Sequence, residues 1–119
     1  MAMQGTKEVS VVIGVLADDN HRRKTVGALR DAGFSGREIG TASDTGDLVV
    51  QEDALARADV ADHGLFDVLL GMGAPEQEAR RFAREFEAQR TIVTVQTTDR
   101  PNEAAAILRN LAATSVRHW

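Results

Sequence analysis

The chain has 119 residues, a length that fits a single domain built around one hydrophobic core. It contains no cysteine, which excludes disulfides, thiol nucleophiles and cysteine-based metal or iron–sulfur sites. The formal net charge of −4 argues against a nonspecific nucleic-acid binder, because such proteins need a basic face.

Residues 1–8 are polar and resemble neither a signal peptide nor a structured element, so we expect them to be flexible. No apolar run approaches the roughly 18 residues that a membrane span requires. The sequence therefore predicts a cytoplasmic protein that binds neither membrane nor nucleic acid.

The first predicted elements are a strand, a helix and a second strand. The segment of residues 9–16 is short, apolar and rich in β-branched side chains, which is typical of a buried strand. Asp18, Asp19 or Asn20 can cap the following helix, and Gly33 can end it. Residues 39–43 form a second, weaker strand, so that the segment predicts a strand–helix–strand unit.

Residues 44–73 are the least regular part of the sequence. A short amphipathic helix through Leu48, Val49, Leu55 and Ala58 is one interpretation, and an edge strand at residues 48–50 is another. We expect an irregular or helical insertion here.

The second half predicts two helices and two strands. Pro75 suits the first turn of a helix whose apolar residues recur at helical spacing, and residues 91–97 form a clear strand. Asp99 can cap a last helix that has Pro101 in its first turn, and residues 116–119 predict a final edge strand.

Two strand–helix–strand units in one sheet predict an α+β fold, a ferredoxin-like βαβ-βαβ sandwich with a helical insertion, in one domain over residues 1–119. Such a sandwich leaves one sheet face bare, and we expect Val12, Leu16 and Ile92 to lie there. Either residues 65–86 or a second copy must cover that face. We expect residues 65–86 to do so, and we expect the protein to form a homodimer.

Two blocks of sequence resemble a known family. VVIGVLADDN with ALRDAGF, and GMGAPEQEARRFAREFEAQRTIVTVQTTDRPNEAAAILRNL, are similar to the bacterial general stress protein 17M-like (heat-induced stress protein) domain family. The second block carries the Gly-x-Pro-Glu-x-x-Ala-Arg pattern from Gly73 to Arg80. This resemblance implies a stress-associated bacterial protein, and it implies no catalytic residues.

Basic residues near the start of the first helix suggest one binding site. Asn20, Arg22, Arg23 and Lys24 lie where free helix amides and guanidinium groups can together hold a phosphate or a carboxylate. The alternative is an ordinary charged helix face, in which the acids cap the helix and the bases point to solvent.

Acidic residues and a histidine suggest a weaker metal site. Asp59, Asp62 or His63, and Asp67 would share one face if the segment were helical. A solvated acidic surface explains the same residues without a metal, and Gly64 interrupts the helical pattern.

The sequence shows no catalytic constellation. The three histidines are scattered, and no serine lies in a nucleophile-elbow context. We therefore expect no cofactor and a non-enzymatic, stress-associated regulatory domain that binds a ligand or a partner. The alternative is a small enzyme or sensor that binds an anionic metabolite at the first helix.

Overall fold

A five-stranded antiparallel sheet forms the middle layer of the fold, and helices lie on both of its faces. The computed structural model describes residues 9–44, 49–53, 55, 60–111 and 113–119, with only the backbone for 49–53 and 60–63. The elements are β1 (Ser10–Leu16), α1 (Asp19–Asp31), β2 (Ile39–Asp44), β3 (Val49–Asp53), α2 (Val60–Gly71), α3 (Glu76–Glu87), β4 (Thr91–Thr97), α4 (Pro101–Asn110) and β5 (Thr114–His118). The predicted α+β class is confirmed.

The strands lie in the order β3-β2-β4-β1-β5, and every neighbouring pair is antiparallel. Strand β4 therefore separates β1 from β2, and β1 separates β4 from β5. The pairing of β1 with β4 runs over seven positions, from Ser10 opposite Thr97 to Leu16 opposite Thr91. The two strand–helix–strand segments are thus interleaved within one sheet.

Both faces of β1 are buried, because its side chains alternate between two apolar cores. Ile13 and Val15 pack with Ile92 on the face of α2 and α3, whereas Val12 and Leu16 pack on the face of α1 and α4. The expectation that Val12, Leu16 and Ile92 share one face was wrong. The register places Val15 opposite Ile92 and Val12 opposite Val95, so alternation separates them.

Helix α1 begins and ends as its sequence predicts. Asp18 is the N-cap, and its carboxylate accepts a hydrogen bond from the backbone N–H of His21 at 2.9 Å. Gly33 follows the helix with a φ of 100°, in the left-handed region that favours glycine. Phe34 is buried against the helix end, and the Arg100 guanidinium lies 4.1 Å from its ring centroid.

Helix α4 is capped differently from the sequence prediction. Arg100, and not Asp99, is its N-cap, and no side chain caps it by a hydrogen bond from that position. The Thr97 hydroxyl instead accepts the backbone N–H of Arg100 at 3.2 Å. Asp99 was therefore wrongly assigned as the cap, while Pro101 does lie in the first turn.

The middle of the chain contains both a strand and a helix. Strand β3 pairs with β2 as an edge strand, which agrees with the second interpretation of this region. The first interpretation, a helix through Leu48, Val49, Leu55 and Ala58, is wrong at Val49, which is in β3; Leu48 and Ala58 lie outside the described residues. Gly64 interrupts α2 with a φ of 83° and a ψ of 152°.

The helical hairpin formed by α2 and α3 covers the second face of the sheet. Leu65 and Leu69 of α2 and Phe82 and Phe86 of α3 are buried in the core on that side. The prediction that residues 65–86 cover one face of the sheet is confirmed, although only Ile92 of the three residues assigned to that face lies there. Both faces of the sheet are therefore covered within one chain.

The last strand begins earlier than predicted, and Trp119 follows it. The backbone of Trp119 exchanges two hydrogen bonds with Val11, at 2.9 and 3.0 Å. Its indole N–H donates to the carbonyl of Met72 at 3.3 Å, in the turn between α2 and α3. Trp119 thus joins the sheet edge to the helical hairpin.

No helix in the described ranges combines the length and the apolar character needed to cross a bilayer.

A pair of glycine substitutions tests this packing. A Cβ at Gly40 would lie 2.7 Å from Leu55 Cγ and 2.8 Å from the Leu55 backbone nitrogen, so Gly40→Ala must displace backbone. We expect it to destabilise the fold by about 2 kcal/mol, a typical overpacking cost. Gly27→Ala is the control, since open space surrounds Gly27 in α1. It should stabilise by about 0.5–1 kcal/mol through helix propensity. Urea unfolding of both variants measures the difference, and equal effects would contradict the packing at Gly40.

Candidate functional site

The outer side of the α2–α3 hairpin carries an open groove of 410 Å³. Its lining residues are Phe66, Arg80, Ala83, Arg84 and Glu87. We call this surface the outer groove. It faces away from the sheet, and it combines an apolar floor with a charged rim.

The hairpin sequence explains why a groove forms here. Ala79, Phe82 and Phe86 of α3 are buried towards the sheet, which leaves Arg80 and Arg84 on the opposite side of the helix. Gly73 reverses the chain after α2 with a φ of 95°. Helices α2 and α3 therefore pack side by side along their lengths.

Phe66 forms the apolar floor of the outer groove together with the methyl group of Ala83. Phe66 is half-buried, and the Arg80 guanidinium lies 5.7 Å from its ring centroid, within the range of a cation–π contact. Leu70, one turn further along α2, is 39% exposed. Among the described residues, two large apolar side chains are exposed, namely Val9 and Leu70.

The rim of the outer groove carries both signs of charge. Arg80 forms a long ion pair with Glu76 at 3.4 Å. Arg84 and Glu87 have no ion-pair partner within the described part of the chain, and the same holds for the exposed Asp67 on α2. Charged groups on this face are therefore available to a binding partner.

The predicted anion site lies at the start of α1, where its two arginines already form ion pairs with an acid of the same helix. The Asp19 carboxylate lies 2.7 Å from Arg22 Nε and 3.1 Å from Arg23 Nε. Asn20 and Lys24 are exposed beside them. The structure therefore brings the two guanidinium groups together around a carboxylate of the chain itself.

Two pKa values at this helix start are lowered, and each has a local cause. The pKa of the Asp18 carboxyl is lowered first by the hydrogen bond from the His21 backbone N–H and then by the His21 side chain, 2.7 Å away. The hydrogen bond from Arg22 lowers the pKa of Asp19. Both carboxylates stabilise the helix start in their charged form.

Most side chains of the predicted metal cluster lie outside the described residues. Asp59 is outside the described residues, as are the side chains of Asp62 and His63, while Asp67 is exposed. The break in α2 at Gly64 interrupts the continuous helix on which the predicted spacing depends. Within the described ranges, no three His, Cys, Asp or Glu side chains form a group that could hold a metal ion.

Sequence reasoning did not identify the outer groove. From the sequence, residues 65–86 are expected only to cover the sheet. A usable signal was present, because Phe66 and Leu70 lie four residues apart and outside the stripe of Leu65 and Leu69. A second apolar pair at helical spacing indicates a second contact surface.

Protonation of Asp18 should weaken the fold. Its pKa is lower in the folded state than in the unfolded chain, so its stabilising effect is complete above the unfolded pKa and is lost as pH falls through the folded pKa. We expect the melting temperature of the wild type to fall more steeply below about pH 4 than that of Asp18→Asn, whose amide still caps but does not titrate. Asp18→Ala, which cannot cap, should be less stable than both at pH 7. Parallel pH profiles of the wild type and Asp18→Asn would contradict this role.

Comparison of the chain with protein-family models, with curated proteins and with solved structures gives no significant match. The similarity to the general stress protein 17M-like family therefore remains a prediction from the sequence.

Proposed function

We propose that this protein is a non-enzymatic, stress-associated regulatory domain of the cytoplasm that binds a ligand or a partner through the outer groove. The observation that carries this proposal is the position of Phe66 and Leu70, which remain partly exposed although both faces of the sheet are covered. Apolar side chains surrounded by charged ones are typical of a contact surface. A homodimer belongs to this proposal, because a second copy is one partner that such a surface can bind.

We also propose that the fold is a ferredoxin-like sandwich extended by an insertion. The interleaving of β1, β2, β4 and β5 supports this assignment, since each strand–helix–strand unit holds the first strand of the other between its own strands. Strand β3 and the α2–α3 hairpin would then be the insertion. The resemblance of two sequence blocks to the stress-protein family is the basis for the stress association.

The chemistry of the outer groove favours binding over catalysis. An aromatic ring and a methyl group provide apolar contact area, and guanidinium groups provide charge-assisted hydrogen bonds. Arginine and aromatic residues are enriched among the residues that contribute most to protein interfaces. The groove therefore has the composition of an interaction surface.

A matched pair of alanine-to-glutamate substitutions tests this function. Ala83→Glu places a charge on the apolar floor of the outer groove, whereas Ala106→Glu places the same charge on the exposed side of α4. We expect bacteria that lack the gene to survive heat stress after complementation with the wild type or Ala106→Glu, and to lose at least tenfold in survival with Ala83→Glu. Melting temperatures and protein levels of both variants provide the control for folding. Full survival with Ala83→Glu would contradict the proposal.

The alternative function is a sensor or small enzyme that binds an anionic metabolite at the start of α1. One observation favours it: the guanidinium groups of Arg22 and Arg23 already converge on one carboxylate, that of Asp19. An external anion would have to displace Asp19 from both. This requirement makes the alternative the weaker of the two.

A phosphate titration distinguishes the two functions. With the outer groove as the binding site, inorganic phosphate should raise the melting temperature no more than chloride at equal ionic strength. The same result is expected for Asp19→Asn, which removes the competing carboxylate charge. Saturable stabilisation by phosphate in Asp19→Asn that disappears when Arg23→Gln is added would instead support the anion site.

A further inference from the structure

We infer that the outer groove binds the same surface of a second copy, so that two α2–α3 hairpins pack face to face around a two-fold axis. This inference rests on the proposed function, in which the groove is the contact surface. It adds the identity of the partner and the residues that pair.

Apolar side chains on both helices provide the centre of the interface. Phe66 lines the groove from α2 and also packs against the core beneath it, Leu70 is exposed one turn further along α2, and the small Ala83 lines the groove from α3. Stacking of two such surfaces would place Phe66 of each copy over the Ala83 region of the other. The exposed area of Leu70 would then be removed from water in both copies.

Two unpaired groups of opposite charge lie on different helices of this face. Helix α2 presents the carboxylate of Asp67, and the same stretch of α3 presents the guanidinium of Arg84. Neither group has an ion-pair partner among the described residues. Each copy therefore offers an unpaired acid on α2 and an unpaired base on α3, where Glu87 is a second unpaired acid.

A two-fold axis parallel to the two helices would bring the acid on α2 of each copy next to the base on α3 of the other. Such an axis places α2 of one copy over α3 of the other, and it keeps positions along the helices level. Phe66 and Arg84 line the same groove, so Asp67 and Arg84 lie at similar positions along the hairpin. Asp67 of each copy would then meet Arg84 of the other.

The mixture of charges selects a second copy over other occupants. A uniformly acidic peptide would meet Asp67 and Glu87 as well as the arginines, and like charges across an interface are unfavourable. A self-complementary face avoids this repulsion. Helix α3 has 12 residues and is about 18 Å long, and the part of α2 after the break at Gly64 is shorter. The face is therefore smaller than the roughly 800 Å² per partner of a standard interface, and we expect a dimer of micromolar affinity.

Reversal of one charge at a time tests the pairing. Asp67→Arg would place two arginines opposite each other in a homodimer, and Arg84→Glu would place two acids opposite each other. We expect sedimentation velocity between about 1 and 500 µM to show a wild-type dimer and a dissociation constant at least tenfold weaker for either variant alone. An equimolar mixture of the two variants restores both ion pairs, and it should dimerise as strongly as the wild type.

Matched charge reversals on the opposite face of the sheet are the controls. Asp31→Arg on α1 and Arg109→Glu on α4 change the net charge by the same amounts and should leave the dissociation constant unchanged. Circular dichroism confirms that all four variants fold. Mixed samples of the two control variants should behave like either one alone.

Three outcomes would overturn the inference. A wild-type protein that stays monomeric over the whole range excludes the dimer, and an unchanged dimer in both Asp67→Arg and Arg84→Glu assigns it to another surface. Failure of the folded variants to form a heterodimer excludes the Asp67–Arg84 pairing. The proposed function is judged separately, because a monomeric wild type together with loss of survival in Ala83→Glu would leave the groove as the binding surface for another partner.

Discussion

The antiparallel pairing of β1 with β4 is the interaction on which the rest of the fold depends. It joins the first strand of one strand–helix–strand segment to the first strand of the other over seven positions. Strands β2 and β5 then lie on the outer sides of this pair, and β3 pairs with β2 at one edge of the sheet. Because β1 and β4 are central, their β-branched side chains alternate into two cores, and helices must cover both faces to remove these side chains from water.

This requirement for two covered faces decides where the protein can make contacts. Helices α1 and α4 cover one face, and the α2–α3 hairpin covers the other. The inner sides of the hairpin are used by the sheet, so its outer side is the place where apolar side chains, Phe66 and Leu70, remain partly accessible. The inserted hairpin thus has two roles in this interpretation: it completes the core with one side and offers a binding surface with the other.

Local electrostatics distinguish the two clusters of arginine. At the start of α1, Arg22 and Arg23 are held by Asp19 within hydrogen-bond distance, and the charge-assisted contact fixes their geometry. On α3, Arg84 lies on the rim of an apolar groove without such a neighbour among the described residues. An intramolecular acid reduces the capacity of a cation to bind an external anion, so the second cluster is the better candidate for intermolecular contacts. A count of basic residues along the sequence misses this difference, because each helix carries three of them within five residues.

The sequence by itself determined the elements whose causes are local. The strand at residues 91–97, the Asp18 cap and the Gly33 helix end follow from side-chain branching, capping chemistry and backbone freedom. Only the tertiary structure decided which face of the sheet each residue of β1 lies on, because alternation gives two sets of side chains and the strand register decides which partner each set meets. It likewise decided that Thr97, and not Asp99, accepts the N–H groups before α4. The outer groove also required the tertiary structure. It forms between two packed helices, and it brings Phe66 of α2 next to residues of α3 that lie more than ten positions later in the sequence.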